Sequence, residues 1–87
     1  MVHVEWSVVI FGKKLLEHRK WNDLSAQQLA KACGVSRSYI TLIENGRRVP
    51  SEKIIPRIAE ALNIKTEVVL NWYLEDLRWR MQEKLKS

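Results

Sequence analysis

Apolar residues recur along this chain at helical spacing in five successive stretches, with polar residues filling the faces between them. Val8, Phe11, Leu15 and Leu16 share one face and predict a first helix over residues 8–20, which Trp21, Asn22 and Asp23 break. Leu29, Ala30 and Cys33 form a narrow stripe in a second helix behind Ser25, an N-cap that Gln28 completes as a capping box. Gly34 stops that helix, because a residue without Cβ takes the left-handed conformation a sharp turn needs. Ser36 caps a third helix with Ile40 and Ile43 on its inner stripe, leaving Arg37, Ser38, Thr41 and Leu42 facing away. A fourth, over residues 52–62 behind Ser51 as cap, turns Ile54, Ile55, Ile58, Ala59 and Leu62 inward. Pro56 lies inside this run and lacks an N–H, so it kinks the helix or delays its regular part to residue 54. Asn63 suits a left-handed exit, and Thr66 caps a fifth helix running from Glu67 to Lys84 without Gly or Pro.

That last helix carries apolar residues on two sides. Leu70, Leu74, Leu77 and Met81 are spaced 4, 3 and 4 apart, a heptad-like seam. At 100° per residue they lie within roughly 60° of arc. Val68, Trp72 and Trp79 fall on the opposite side. One apolar face docks a helix on its own domain, and a second points to another chain. The expected self-association surface comprises Leu70, Trp72, Tyr73, Leu74, Leu77 and Met81, with the choice of face open. At the other end, Val2, Val4 and Trp6 alternate with His3, Glu5 and Ser7, compatible with an edge strand, an arm or a lead-in to the first helix.

Eighty-seven residues make room for one small domain with one core, an all-α unit in which residues 8–66 form the body and 67–87 the terminal helix. The net charge of +5 is uneven. Residues 13–57 hold ten Lys and Arg against four acids, a net +6, which leaves −1 for the flanks. A basic centre of this kind suggests a polyanionic partner, although charge alone is read first as a solvated basic face. The lone Cys33 excludes an internal disulfide and a zinc cluster, and its place on an apolar stripe makes it a core residue. His3 and His18 stand without partner ligands. No apolar run approaches ~18 residues, so a cytoplasmic protein with no membrane association is expected. There is no Gly-rich phosphate loop, no paired carboxylates and no Cys–His arrangement, so neither an enzyme nor a cofactor, metal or small-molecule ligand is expected.

The stretch 25–46 resembles the helix-turn-helix of λ-repressor and Cro-like regulators. Counting from Ala26, that family prefers a small residue fifth, Gly ninth and a branched apolar residue fifteenth, and Ala30, Gly34 and Ile40 stand there. Close helix crossing admits only a small side chain at Ala30, and Ile40 plugs the wedge. Ile43-Glu44-Asn45-Gly46 is similar to the family's helix exit, and the likeness extends over residues 9–70. It implies a five-helix λ-repressor-like domain, here with an extended C-terminal helix, and a partly buried pair between Arg19 and Glu44.

The resemblance further implies double-stranded DNA as partner, with the helix after Ser36 in the major groove. Arg37, Ser38, Thr41 and Leu42 are the candidate base readers, Arg37 as a bidentate donor to guanine and Leu42 against a thymine methyl. Ser25, Gln27, Ser36, Asn45, Arg47 and Arg48 are the further candidate DNA contacts, around the helix terminus where phosphate is expected, and Tyr39 is either a phosphate or groove-edge contact or half-buried packing. Many relatives carry Gln where this chain has Ala26, so that phosphate grip is not carried over. A symmetric homodimer on an inverted repeat is implied, with half-sites ~10 bp apart. A repressor or autoregulator of phage type and a restriction–modification controller both fit. A module of another class, an antitoxin or interaction protein whose tail helix binds a different protein, is the alternative.

Overall fold

The computed structural model describes residues 9–86, in five helices: α1 (Val9–Trp21), α2 (Ala26–Cys33), α3 (Arg37–Glu44), α4 (Ile54–Ala61) and α5 (Thr66–Lys86). The alternating stretch before α1 lies outside the described residues. The λ-repressor-like arrangement is present: α2 packs on α3 and α4, α1 on α3 and α5, and α4 on α5. One core collects Phe11 and Leu15 from α1, the stripe Leu29, Ala30 and Cys33, then Ile40 and Ile43, and the α4 set from Ile54 to Leu62. Val69 and Trp72 complete it from α5.

The turns follow local chemistry. Ser25 Oγ accepts the Gln28 N–H at 3.0 Å and Gln28 Oε1 accepts the Ser25 N–H at 2.8 Å, so the capping box is closed. Gly34 is left-handed (φ 71°), and the Val35 N–H returns to the Ala30 carbonyl at 3.0 Å. Asn63 takes φ 56° as its position requires, and Asp23 takes φ 55° where α1 breaks. Several boundaries differ from the sequence reading: α1 includes Trp21, α4 ends at Ala61 and α5 runs on to Lys86. Residues 52–53 form a turn, so α4 starts at Ile54, and Ser51 offers its carbonyl, not its hydroxyl, to the Ile54 N–H (3.2 Å). Pro56 thereby sits in the first turn, where a missing N–H costs nothing. Thr66 is the first residue of α5 and not its cap.

Gly12 marks a close crossing of α1 and α3. A Cβ there would collide with the backbone carbonyl oxygens of Ile43 and Glu44, the latter at 2.9 Å. At its start, α1 receives a cap from the far end of the chain: Asp76 of α5 accepts the N–H groups of Ile10 and Phe11.

The docking face of α5 is Val69, Trp72 and Asp76. This corrects the assignment of Trp72 to a self-association surface. Its ring stands edge-on to Phe11 (centroids 5.8 Å apart) and 4.9 Å from His18, and it is 4% exposed, because this part of α5 closes the end of the core. Tyr73 is half-buried beside it. Leu70, Leu74, Leu77 and Met81 stay 38–56% exposed, the first three along a groove shared with Ile55 and Pro56. Val68 and Trp79, expected opposite the seam, are exposed to the same degree as Leu77.

Candidate nucleic-acid interface

Eight residues of α3 divide sharply. Ile40 and Ile43 are wholly buried, which turns the opposite side outward. Arg37, Ser38, Thr41, Leu42 and the capping Asn45 fall within roughly 140° of arc on that outer side. All five are exposed. Ser36 Oγ accepts the Tyr39 N–H at 3.1 Å, so the helix starts cleanly and its first two residues, Arg37 and Ser38, present N–H groups with no intrahelical acceptor. The arc therefore offers a guanidinium, two hydroxyls, an amide and one apolar side chain, the inventory of groups that distinguishes base edges.

Cations and helix ends surround it. Ser25 and Gln27 are exposed at the start of α2, but Ser25 spends its N–H and one oxygen lone pair on the capping box. The outward donors there are the N–H groups of Ala26 and Gln27 and the Gln27 amide. After α3, Gly46 turns the chain with φ 73°, and Arg47 and Arg48 are both exposed. The Arg47 N–H bonds the Leu42 carbonyl at 2.9 Å, tying this loop to the end of the helix.

Of the two roles its sequence position left open, Tyr39 fills the packing one. Its ring packs on the core while its Oη accepts the Ser51 N–H at 2.9 Å, bracing the 47–51 loop. The Arg48 guanidinium lies 5.0 Å from the ring centroid, a cation–π contact worth ~0.5–1 kcal/mol at an exposed site. Because the phenol oxygen is the acceptor in that bond, its own O–H remains a donor.

The helix is held at its C-terminus, and the turn before it is held from α4. At its C-terminus Glu44 receives Arg19 through two bonds, Nε to Oε2 at 2.7 Å and Nη2 to Oε1 at 3.1 Å. Arg19 Nη1 also donates to the Leu24 carbonyl at 2.9 Å. Both side chains are nearly buried, 13% and 7% exposed, and the hydrogen bonds that Arg19 donates to Glu44 raise the Arg19 pKa. Ahead of the helix, Arg57 of α4 donates from Nη1 to the carbonyl of Cys33, the last residue of α2, at 3.1 Å. The Cys33 thiol is buried, which pushes its pKa up to about 11 and leaves it unreactive. Hydropathy spacing had no means of marking Arg57, the Tyr39–Ser51 bond or the Gly12 crossing, since each joins residues remote in sequence. Among the described residues no cluster of three or more His, Cys, Asp or Glu could hold a metal ion, and no helix is long and apolar enough to cross a membrane.

A fold and exposed helix of this kind are those of helix-turn-helix regulators, and comparison with known proteins agrees. A family model described as Helix-turn-helix matches residues 15–69. The ImmF control region 10 kDa protein of Bacillus phage phi105 is 44% identical over 62 residues, covering 67% of this chain and 69% of that protein. The restriction–modification controller protein C.AhdI from Aeromonas hydrophila superposes with a TM-score of 0.68 at 37% identity, over 71% of this chain and 94% of that one. SinR, the master regulator for biofilm formation solved in complex with DNA, superposes with a TM-score of 0.64 at 26% identity, over 69% of this chain and 97% of that one. The chain spans less than half the length of some other curated relatives, such as 43% of the Bacillus subtilis repressor RghR. The chain belongs to the helix-turn-helix family of Cro-like, DNA-binding transcriptional regulators, which are not enzymes.

Proposed function

We propose that this protein is a sequence-specific repressor or autoregulator that reads an inverted repeat in double-stranded DNA as a homodimer. The observation that carries this reading is the outer arc of α3, where Arg37, Ser38, Thr41, Leu42 and Asn45 are exposed on a helix held at its C-terminus by Arg19 and preceded by a turn held by Arg57. Arg37 would read a guanine edge through paired donors, Leu42 a thymine methyl, and Ser38 and Thr41 either donors or acceptors. Arg47, Arg48, Gln27 and the first turn of α2 would meet phosphates on either side of the groove, with the Tyr39 O–H as a further donor. Ser25 and Ser36 act chiefly as the caps that aim those turns.

The second copy would join along Leu70, Leu74, Leu77 and Met81, with Tyr73 at the margin, because those four residues form a continuous open apolar seam, whereas on the opposite side Trp72 is taken by the core and leaves Val68 and Trp79 apart. Two-fold pairing sets two reading helices one duplex turn apart, roughly 34–36 Å. Selecting bound fragments from random duplexes tests the whole reading in one experiment. The expected outcome is an enriched palindrome with half-sites about 10 bp apart. Enrichment of a single unrepeated half-site would refute the dimer, and no enrichment would refute sequence reading. Should the seam instead serve a different protein, that protein would stay bound at high salt while DNA is released.

A further inference from the structure

The turn that feeds the reading helix is gripped from outside the motif. Arg57 of α4 lies directly over it: Nη1 bonds the Cys33 carbonyl at 3.1 Å, and a Cβ on Gly34 would approach that same nitrogen to 2.8 Å. Cys33 is the last residue of α2, so its carbonyl is one of the four that the helix leaves unpaired, at the negative end of the helix dipole. A guanidinium is the complementary group. The turn's own backbone bonds run back within α2, from Gly34 to Lys31 and from Val35 to Ala30. They close the turn but do not tie it to the rest of the domain.

We infer that Arg57 is a positioning residue for base reading: by pinning the α2–α3 turn to α4, it fixes the angle at which Arg37 and Ser38 enter the groove. The inference rests on the reading of α3 given above. Its physical basis is leverage. The far end of α3 is held rigidly by the Arg19–Glu44 pair and by the close approach of Gly12 to the Ile43 and Glu44 carbonyls. A helix of eight residues is about 12 Å long, so a pivot of roughly 10° about that end moves Arg37 by about 2 Å. A bidentate hydrogen bond does not survive such a shift, since donor–acceptor distances span only about half an ångström. Flexible phosphate contacts from Arg47 and Arg48 do survive it. Loss of the clamp therefore degrades discrimination between sequences and leaves general DNA affinity alone.

Arg57→Met keeps the aliphatic stem over the turn and removes the donor. Titrations use the selected operator and a random duplex over a range of salt, in the wild-type and Arg37→Ala backgrounds. The expected result is a loss of about tenfold on the operator, with random-duplex affinity, salt slope and thermal midpoint close to wild type. In the Arg37→Ala background the same substitution changes operator affinity less than about twofold, because the two residues act as one unit. Arg57→Lys, which keeps a donor able to reach the carbonyl, recovers most of the preference. Equal losses on operator and random duplex, with the log–log salt slope reduced by about one, would mean that Arg57 holds a phosphate and would overturn the inference. Unchanged discrimination, or a loss undiminished beside Arg37→Ala, would also overturn it while leaving the reading of α3 intact. A wild-type protein that prefers no duplex would remove both together.

Discussion

Asp76, near the middle of the last helix, accepts the backbone N–H of Phe11 at 2.7 Å and that of Ile10 at 3.0 Å, capping the first helix from the other end of the chain. The carboxylate is 2% exposed. It satisfies two of the four N–H groups that α1 leaves without acceptors, and its charge complements the positive end of the α1 dipole. Burial nevertheless raises the Asp76 pKa, outweighing the backbone bonds from Phe11 and Ile10 and the nearby charge of Arg80, which pull it down.

Asp76→Asn exchanges one acceptor oxygen for a donor facing an N–H, and costs ~1–3 kcal/mol of stability by urea unfolding. The pH dependence has a defined sign. The folded chain binds this proton at a pH where the unfolded chain has released it, so the contribution of Asp76 is full below the usual carboxylate value, near pH 4, and declines as pH rises through the folded value. The stability difference between wild type and Asp76→Asn shrinks across that window. A difference that grows with pH contradicts the assignment.

Gly12→Ala puts two effects in opposition. Helix propensity favours Ala over Gly by ~1 kcal/mol. The added Cβ meets the backbone oxygens of Ile43 and Glu44, which cannot step aside without moving α3. Overpacking of this kind costs ~1–3 kcal/mol, and here it falls on backbone, so net destabilisation is expected in thermal unfolding. A raised midpoint would show that the crossing is looser than the structure has it.

Arg19→Ala strands Glu44, only 7% exposed, without its partner and is expected to cost ~3–5 kcal/mol. Replacing both, as Arg19→Met with Glu44→Leu, removes the buried charge as well and is expected to cost less than the single change. The Leu24 carbonyl loses its donor in either case, so it drops out of the comparison. Equal losses in single and double variants would argue that the pair contributes stability in its own right.

Arg47→Ala and Arg37→Ala separate positioning from reading. The first is expected to lower affinity for every duplex and flatten the log–log salt slope by about one unit. The second is expected to erase preference at one base pair, by ~1–3 kcal/mol, with little change in slope. A base-by-base scan that finds no altered preference for Arg37→Ala assigns that residue to the backbone.

Leu77→Lys and Trp72→Ala test the division of α5. Leu77 is 38% exposed, so Lys is tolerated by the fold and is expected to leave a folded monomer in sedimentation at micromolar concentration. Trp72→Ala empties the space against Phe11 and His18 and is expected to cost ~3–5 kcal/mol. A monomeric wild type under the same conditions refutes the seam as a self-association surface.

Local chemistry was legible in the linear chain. The caps at Ser25 and Ser36, the stop at Gly34, the left-handed Asn63 and the inward Ile40 and Ile43 follow from spacing and from what each side chain does to its own backbone. The outer arc of α3 then follows by subtraction, because what is not buried on an amphipathic helix faces out. The Arg19–Glu44 pair was accessible through family likeness alone, since 25 residues separate its members.

Tertiary structure decided what depends on pairs of surfaces. Periodicity finds two apolar sides of α5 but does not say which one the domain consumes, and Trp72 went to the core because Phe11 and His18 of α1 are there to meet it. A capping carboxylate 65 residues from its N–H, a glycine set by another helix's carbonyls and an arginine clamping a turn 24 residues upstream leave no periodic trace. Each is selected by proximity that exists only after the chain has closed on itself.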